Sequence, residues 1–302
     1  MKNIFRRITI SGQINCMTFY LNRIVTNSRL RALFVSMICK YVRRNQRDDH
    51  RAGEHTQKAL QDRLHRDGYA PLGTLLGKAE CLEIVDFLRD KYLTDRDISR
   101  AAFCMQNAPP GTRLADFCLA DVIACPHILS LANSPCLLRL ATDYIGCKPT
   151  LSAMVIRWSS PELAGVSDLQ RFHRDTDDWR FLKVMVYLTN VDEFCGPHVY
   201  VKGTHCSGQT LRQRFWTDEE MAESFDHSRF AVALGGMGSA FAVDTSGIHK
   251  GQAPTREYRL MLMLQYSLLP CYQTRKKPVN VVLPKHLDNY INRVIFANEF
   301  DS

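Results

Sequence analysis

The chain changes texture after Gly146. From there to about residue 270, short β-rich segments at 151–158, 183–189, 198–202, 230–232, 239–243 and 258–269 are set apart by Gly and Pro. Many short strands with frequent turn signals suggest a sandwich or barrel. The first half reads as helix. Leu60 and Leu64 lie one turn apart within 56–66, and Asp67-Gly68 stops that pattern. A short strand follows at 69–72, then a helix over 78–92 with Cys81, Ile84, Val85 and Leu88 inward. Pro109-Pro110-Gly111 marks a loop over 104–114, and helical character over 118–144 is broken near Pro126 and Pro135. Helices first and strands later predict an α+β protein with a helical layer against one face of a sheet.

Composition permits this. A chain of 302 residues with 45% hydrophobic and 23% charged residues can build a core without disulfides or structural metals. No apolar run approaches the roughly 20 residues that span a bilayer. The eleven cysteines form no Cys-x-x-Cys pair. Cys81, Cys118, Cys125, Cys136 and Cys147 stand singly among apolar neighbours, which reads as reduced, buried thiols of a cytoplasmic protein.

The net charge of +8 is unevenly placed. Residues 1–51 hold eleven Lys and Arg against only Asp48 and Asp49. This divides the chain into a basic N-terminal segment, 1–50, and a main domain, 51–302, joined by a polar linker at 49–55. Leu30, Leu33, Phe34, Met37, Ile38, Tyr41 and Val42 recur at helical spacing among Arg29, Arg31, Lys40, Arg43 and Arg44. A basic amphipathic helix over 28–44 suits peripheral contact with an anionic membrane, and equally suits packing on the main domain. The body is not basic, so nucleic acid is not an expected partner.

Three elements carry chemistry. His173 and Asp175, two apart, point to one side of an extended segment and can offer two ligands to one divalent ion. His249 sits between Gly247 and Gly251, just past the apolar segment Ala240 to Val243. Arg259, ten residues on, opens the apolar strand Leu260 to Tyr266, where a buried guanidinium needs an anion. Arg256 reads as a loop residue. Two His and one carboxylate with an open face are the ligand set of non-haem Fe(II) oxygenases. A carboxylate-binding Arg beside them suggests the dicarboxylate 2-oxoglutarate. Around them, Lys183 faces either a carboxylate or solvent. Trp179 lines a pocket or packs. Asp177 and Asp178 are competitors of Asp175, His205 reads as structural, and His198 and His227 receive no role.

Over roughly 60–270 the chain resembles the phytanoyl-CoA dioxygenase family of Fe(II)/2-oxoglutarate oxygenases. The likeness rests on Asp67-Gly-Tyr69, His173-Arg-Asp175, Cys195-Gly-Pro-His-Val-Tyr-Val-Lys-Gly-Thr-His205, His249 and Arg259. Cys195 stands where Asn is usual, and Lys202-Gly-Thr replaces Pro-Gly-Ser. The resemblance implies a double-stranded β-helix (a jelly roll, cupin-like) with flanking helices. It implies iron on His173, Asp175 and His249, with 2-oxoglutarate and O2 as cosubstrates and Arg259 on the distal carboxylate. Lys183 is a further candidate for the cosubstrate. Related halogenases lack the carboxylate ligand, so Asp175 favours hydroxylation. With the basic helix, the resemblance suggests a lipid-linked sugar such as Kdo of lipid A, hydroxylated at the inner face of the membrane. The alternatives are a soluble metabolite or acyl-CoA as substrate, and a metal-binding scaffold without catalysis.

Overall fold

The structure is a computed structural model. It describes residues 21–46 (apart from 23 and 26), 58–98, 101–161, 168–206, 214–271 and 278–296. The linker expected at 49–55 lies outside the described residues.

Among the described residues, ten strands form two antiparallel sheets. They are β1 (Tyr69–Thr74), β2 (Leu93–Asp95), β3 (Leu114–Phe117), β4 (Thr150–Ser159), β5 (Phe181–Tyr187), β6 (His198–Val201), β7 (Phe230–Ala233), β8 (Ser239–Val243), β9 (His249–Gly251) and β10 (Arg259–Ser267). The large sheet runs β1-β8-β5-β10-β4-β3-β2, and the small one β7-β6-β9. Alternation sorts the side chains of the large sheet. Leu260, Leu262 and Leu264 of β10, with Val184 and Val186 of β5, enter one core with the helices. Met185, Tyr187, Phe241 and Met261 turn the other way and meet Cys195, Tyr200 and Ala233 of the small-sheet side.

The helices over the first face are α1 (Ser28–Asn45), α2 (Lys58–Asp67), α3 (Lys78–Leu88), α4 (Leu119–Ala124), α5 (Ile128–Ala132) and α6 (Pro135–Ile145). Two short ones follow, α7 (Asp218–Ser224) and α8 (Asn289–Asn292). Their ends obey local chemistry. Asn27 caps α1 by accepting from the amides of Arg29 and Leu30. Pro135 opens α6, and Gly146, at φ 96°, closes it in the left-handed region. Pro126 and Pro135 thus divide 118–144 into α4, α5 and α6.

The expected pattern differs in three places. The loop predicted over 104–114 ends at β3, whose side chains are all buried and pair with β2 and β4. His249, placed by sequence only between two glycines past an apolar segment, opens a short strand of its own. Cys118 and Cys136 are exposed, while Cys81, Cys125 and Cys147 are buried, so single placement among apolar neighbours did not guarantee burial.

The apolar stripe of α1 splits. Val35, Cys39 and Val42 are buried in the main core with Phe34 and Ile38 against it. Leu30, Leu33, Met37 and Tyr41 face outward. Among the described residues, no helix is long and apolar enough to cross a membrane.

Candidate metal centre

His173 lies in an extended segment bridged to the start of β9. Its amide donates to the His249 carbonyl at 2.9 Å, and the His249 amide donates back at 3.0 Å. Two residues on, the Asp175 amide donates to the Thr245 carbonyl at 2.8 Å. This pairing brings the three side chains together across 76 positions of the chain. Arg174, between them, turns away and donates to the carbonyls of Thr204 (2.8 Å) and Ser246 (2.7 Å), pinning the segment from behind.

One ligand atom from each of His173, Asp175 and His249 lies within 4.8 Å of the others. The two imidazoles are held in the correct sense. Nδ1 of His173 meets the Arg171 carbonyl at 2.8 Å, and Nδ1 of His249 meets the Gly247 carbonyl at 2.9 Å. A carbonyl only accepts, so Nδ1 carries the proton and Nε2 keeps its lone pair. Both Nε2 atoms look at Asp175, at 3.7 and 3.6 Å. Burial and then the neighbouring His173 push His249 down to about 3, so it stays a neutral ligand. Burial works against charge on Asp175, but the Lys183 ammonium overcomes it and holds the carboxyl well below its usual range. Two imidazoles and one carboxylate suit a divalent transition metal with positions left open for other ligands.

The site opens onto a cavity of about 530 Å³ between the sheets. Arg259 lines it and is 3% exposed. Its Nη1 donates to the Gly196 carbonyl and its Nη2 to Ser159 Oγ at 3.0 Å, while its Nε has no partner. Gly196 sits at φ 71°, in the left-handed region, and a Cβ there would collide with the Gln252 carbonyl. Arg256 is exposed and stacks on Phe194, as expected of a loop arginine. Lys183 also lines the cavity, and the carboxylates it meets belong to the protein: Asp175 at 2.6 Å and Asp177 at 3.1 Å. Trp179 packs against the Phe34 ring at 5.0 Å. Asp178 turns from the metal triad and accepts from the Leu269 amide, its carboxyl raised by burial to about 7. His205 meets the His65 carbonyl at 3.2 Å.

His198 has a place that its sequence context did not reveal. It is 3% exposed and lines the cavity; its ring lies 5.4 Å from that of His249, and its Nε2 has no partner. Burial above all, with the Arg259 guanidinium nearby, holds it well below its usual pKa. The alternation of β6 was the available signal, since it places His198 and Tyr200 on one side.

The loop into β9 is shaped around Tyr200. Its hydroxyl donates to the Asp244 carbonyl at 3.0 Å, and a Cβ on either Gly68 or Gly247 would collide with it. Asp244 itself accepts from the Tyr144 hydroxyl at 2.6 Å and from the Ser246 amide at 2.9 Å, fixing the approach to His249.

No sequence-family model matches the chain, and neither does any curated protein sequence. Solved structures do. The non-haem α-ketoglutarate-dependent epimerase SnoN of nogalamycin biosynthesis is 18% identical, with a TM-score of 0.50 over 69% of this chain and 82% of its own. The α-ketoglutarate-dependent carbocyclase SnoK, from the same biosynthesis, is 16% identical at a TM-score of 0.50, over 71% and 87%. HygX from Streptomyces hygroscopicus, solved with nickel and 2-oxoglutarate, is 18% identical at 0.47, over 71% and 87%. With the two sheets and their helical layer already described, the likeness to SnoN and SnoK identifies the fold as one that α-ketoglutarate-dependent enzymes use.

Proposed function

We propose that the protein is an Fe(II)- and 2-oxoglutarate-dependent dioxygenase that hydroxylates an unactivated C–H bond. The observation that carries this is the convergence of His173, Asp175 and His249, with both Nε2 lone pairs turned to one point by carbonyls behind them. Two facing sheets with the site between them support the double-stranded β-helix expected of phytanoyl-CoA dioxygenase relatives. SnoN has been solved with Fe3+ and α-ketoglutarate, and HygX with nickel and 2-oxoglutarate.

The residues present fit the two groups. His173, Asp175 and His249 would hold the iron, which supplies the activation of O2 that no side chain can. Arg259 would take the distal carboxylate of 2-oxoglutarate; its buried guanidinium has an unpartnered Nε, and Ser159 stands beside it. Lys183 keeps Asp175 ionised, and Asp177 shares that cation. His198, neutral, offers an unpartnered Nε2 to whatever fills the cavity.

Anaerobic addition of 2-oxoglutarate to the Fe(II) protein should produce a visible charge-transfer band, and O2 should then release succinate. Neither should occur with His173→Ala. A band without succinate release under every condition would favour a metal-binding scaffold over an enzyme. For the substrate, the narrower reading is a membrane-associated, lipid-linked sugar such as Kdo of lipid A, supported by the basic helix α1. Mass spectrometry of glycolipids from cells carrying the intact or His173→Ala protein tests it. A species one oxygen heavier only with the intact protein supports it, and identical profiles would turn the search to a soluble metabolite or acyl-CoA.

A further inference from the structure

We propose that the outer face of α1 docks the protein on an anionic lipid bilayer, with the helix lying in the plane of the surface. The helix is apolar on two sides, and only one is used by the fold. Val35, Cys39 and Val42 are buried in the main core. Leu30, Leu33, Met37 and Tyr41, spaced by three, four and four residues, form a second stripe that is 50%, 55%, 50% and 69% exposed. Ile24, ahead of α1, is also 73% exposed. Four large apolar side chains in a row on one exposed helix face exceed the scattered apolar residues of an ordinary surface.

The charge around the stripe selects its occupant. Arg29, Lys40 and Arg44 are exposed along one edge, and α1 contains no acidic residue. An apolar stripe edged by cations matches acyl chains beneath anionic headgroups. A second copy of the same face fits poorly, because it would bring like cations together. The docked face is also firmly mounted. Asn22 donates to the Thr176 carbonyl at 3.1 Å, next to Asp175, and Arg31 donates to the Trp179 carbonyl at 3.3 Å. The Arg43 Nε donates to the Gly146 carbonyl at 2.6 Å at the other end. Docking would therefore hold the segment that carries a metal ligand about one helix diameter, roughly 10 Å, from the lipid. This proposal does not depend on the chemistry assigned to the cavity.

The test uses the full chain and vesicles of phosphatidylcholine with and without phosphatidylglycerol, read by co-sedimentation. The intact protein should bind the anionic vesicles, and weakly or not at all the neutral ones, with binding falling as salt rises. A double variant, Leu33→Glu with Met37→Glu, should bind about 10-fold or more weakly, since two outward apolar contacts are lost. Lys40→Gln with Arg44→Gln should also weaken binding about 10-fold or more, and only on anionic vesicles. Both pairs face outward, so circular dichroism and iron content should be unchanged. Equal binding by the intact protein and the Leu33/Met37 variant would overturn the proposal, as would no binding by the intact protein. A dimer in solution that the same variant dissolves would assign the face to a second copy and overturn it as well.

Discussion

The two faces of the large sheet meet different surroundings, and they are built from different residues. On the helix side, β10 presents Leu260, Leu262 and Leu264, each fully buried, and β5 presents Val184 and Val186. On the other side the same strands present Arg259, Met261, Met263 and Gln265, with Lys183 and Met185. Burial alone does not decide composition; what lies opposite does. Facing helices, a side chain has only other carbon to meet. Facing the cavity, a charge survives because a partner was built with it, as Lys183 has Asp175 and Asp177.

Removing a charge from the cavity side should cost function most. Asp175→Ala is expected to bring iron content and succinate release to background, while the thermal transition survives because Lys183 keeps Asp177. Metal analysis of protein reconstituted anaerobically checks this, and full iron retention would break the assignment. Next comes Asp116, which accepts from Arg157 at 2.8 Å and from Arg96 at 2.7 Å. Asp116→Ala strands a buried guanidinium and should cost about 3–5 kcal/mol in urea unfolding. Burial works against charge on Asp116, but Arg157 and Arg96 lower its carboxyl from 3.8 to about 2. A carboxylate lowered on folding adds stability above its unfolded pKa. That contribution should be intact above pH 3.8 and lost as pH falls to about 2. Stability curves of wild type and Asp116→Asn that stay parallel across this window would count against it.

On the helix side, Leu262→Ala should cost about 2–5 kcal/mol, because the hole has nothing to fill it. Its strand neighbour Met263 borders space that already exists, and Met263→Ala should cost about 1 kcal/mol. Equal losses would erase the distinction between the faces. Smallest is Arg256→Ala, outside both faces, expected within about 0.5 kcal/mol of wild type and without effect on 2-oxoglutarate binding.

The metal triad was legible because it rests on short-range patterns. His173 and Asp175 needed only a period of two, and His249 only its glycines and the strand before it. Arg259 was separable from Arg256 because one opens an apolar run and the other does not. Lys183 was ambiguous, since a lysine beginning a strand reads as solvated until the residue across from it is known. His198 escaped notice because its meaning depends on a sheet partner, β9, contributed from fifty residues away. For α1 the seven apolar positions formed one broad stripe in sequence. Only the position of the body shows that Phe34, Ile38 and Val42 serve the fold while Leu30, Leu33, Met37 and Tyr41 do not.

The hydroxyl of Tyr200 occupies the space that a Cβ would need at both Gly68 and Gly247. These three positions therefore cannot drift one at a time. While the tyrosine stays, any other residue at 68 or 247 must displace it, and with it the bond to the Asp244 carbonyl that shapes the approach to His249. A smaller side chain at 200 would have to arrive first to relieve this clash at either glycine, and it would loosen the approach to His249 on arrival. Across descendants of this chain the trio should travel as a single inherited character, although its members stand 132 and 47 residues apart along the sequence.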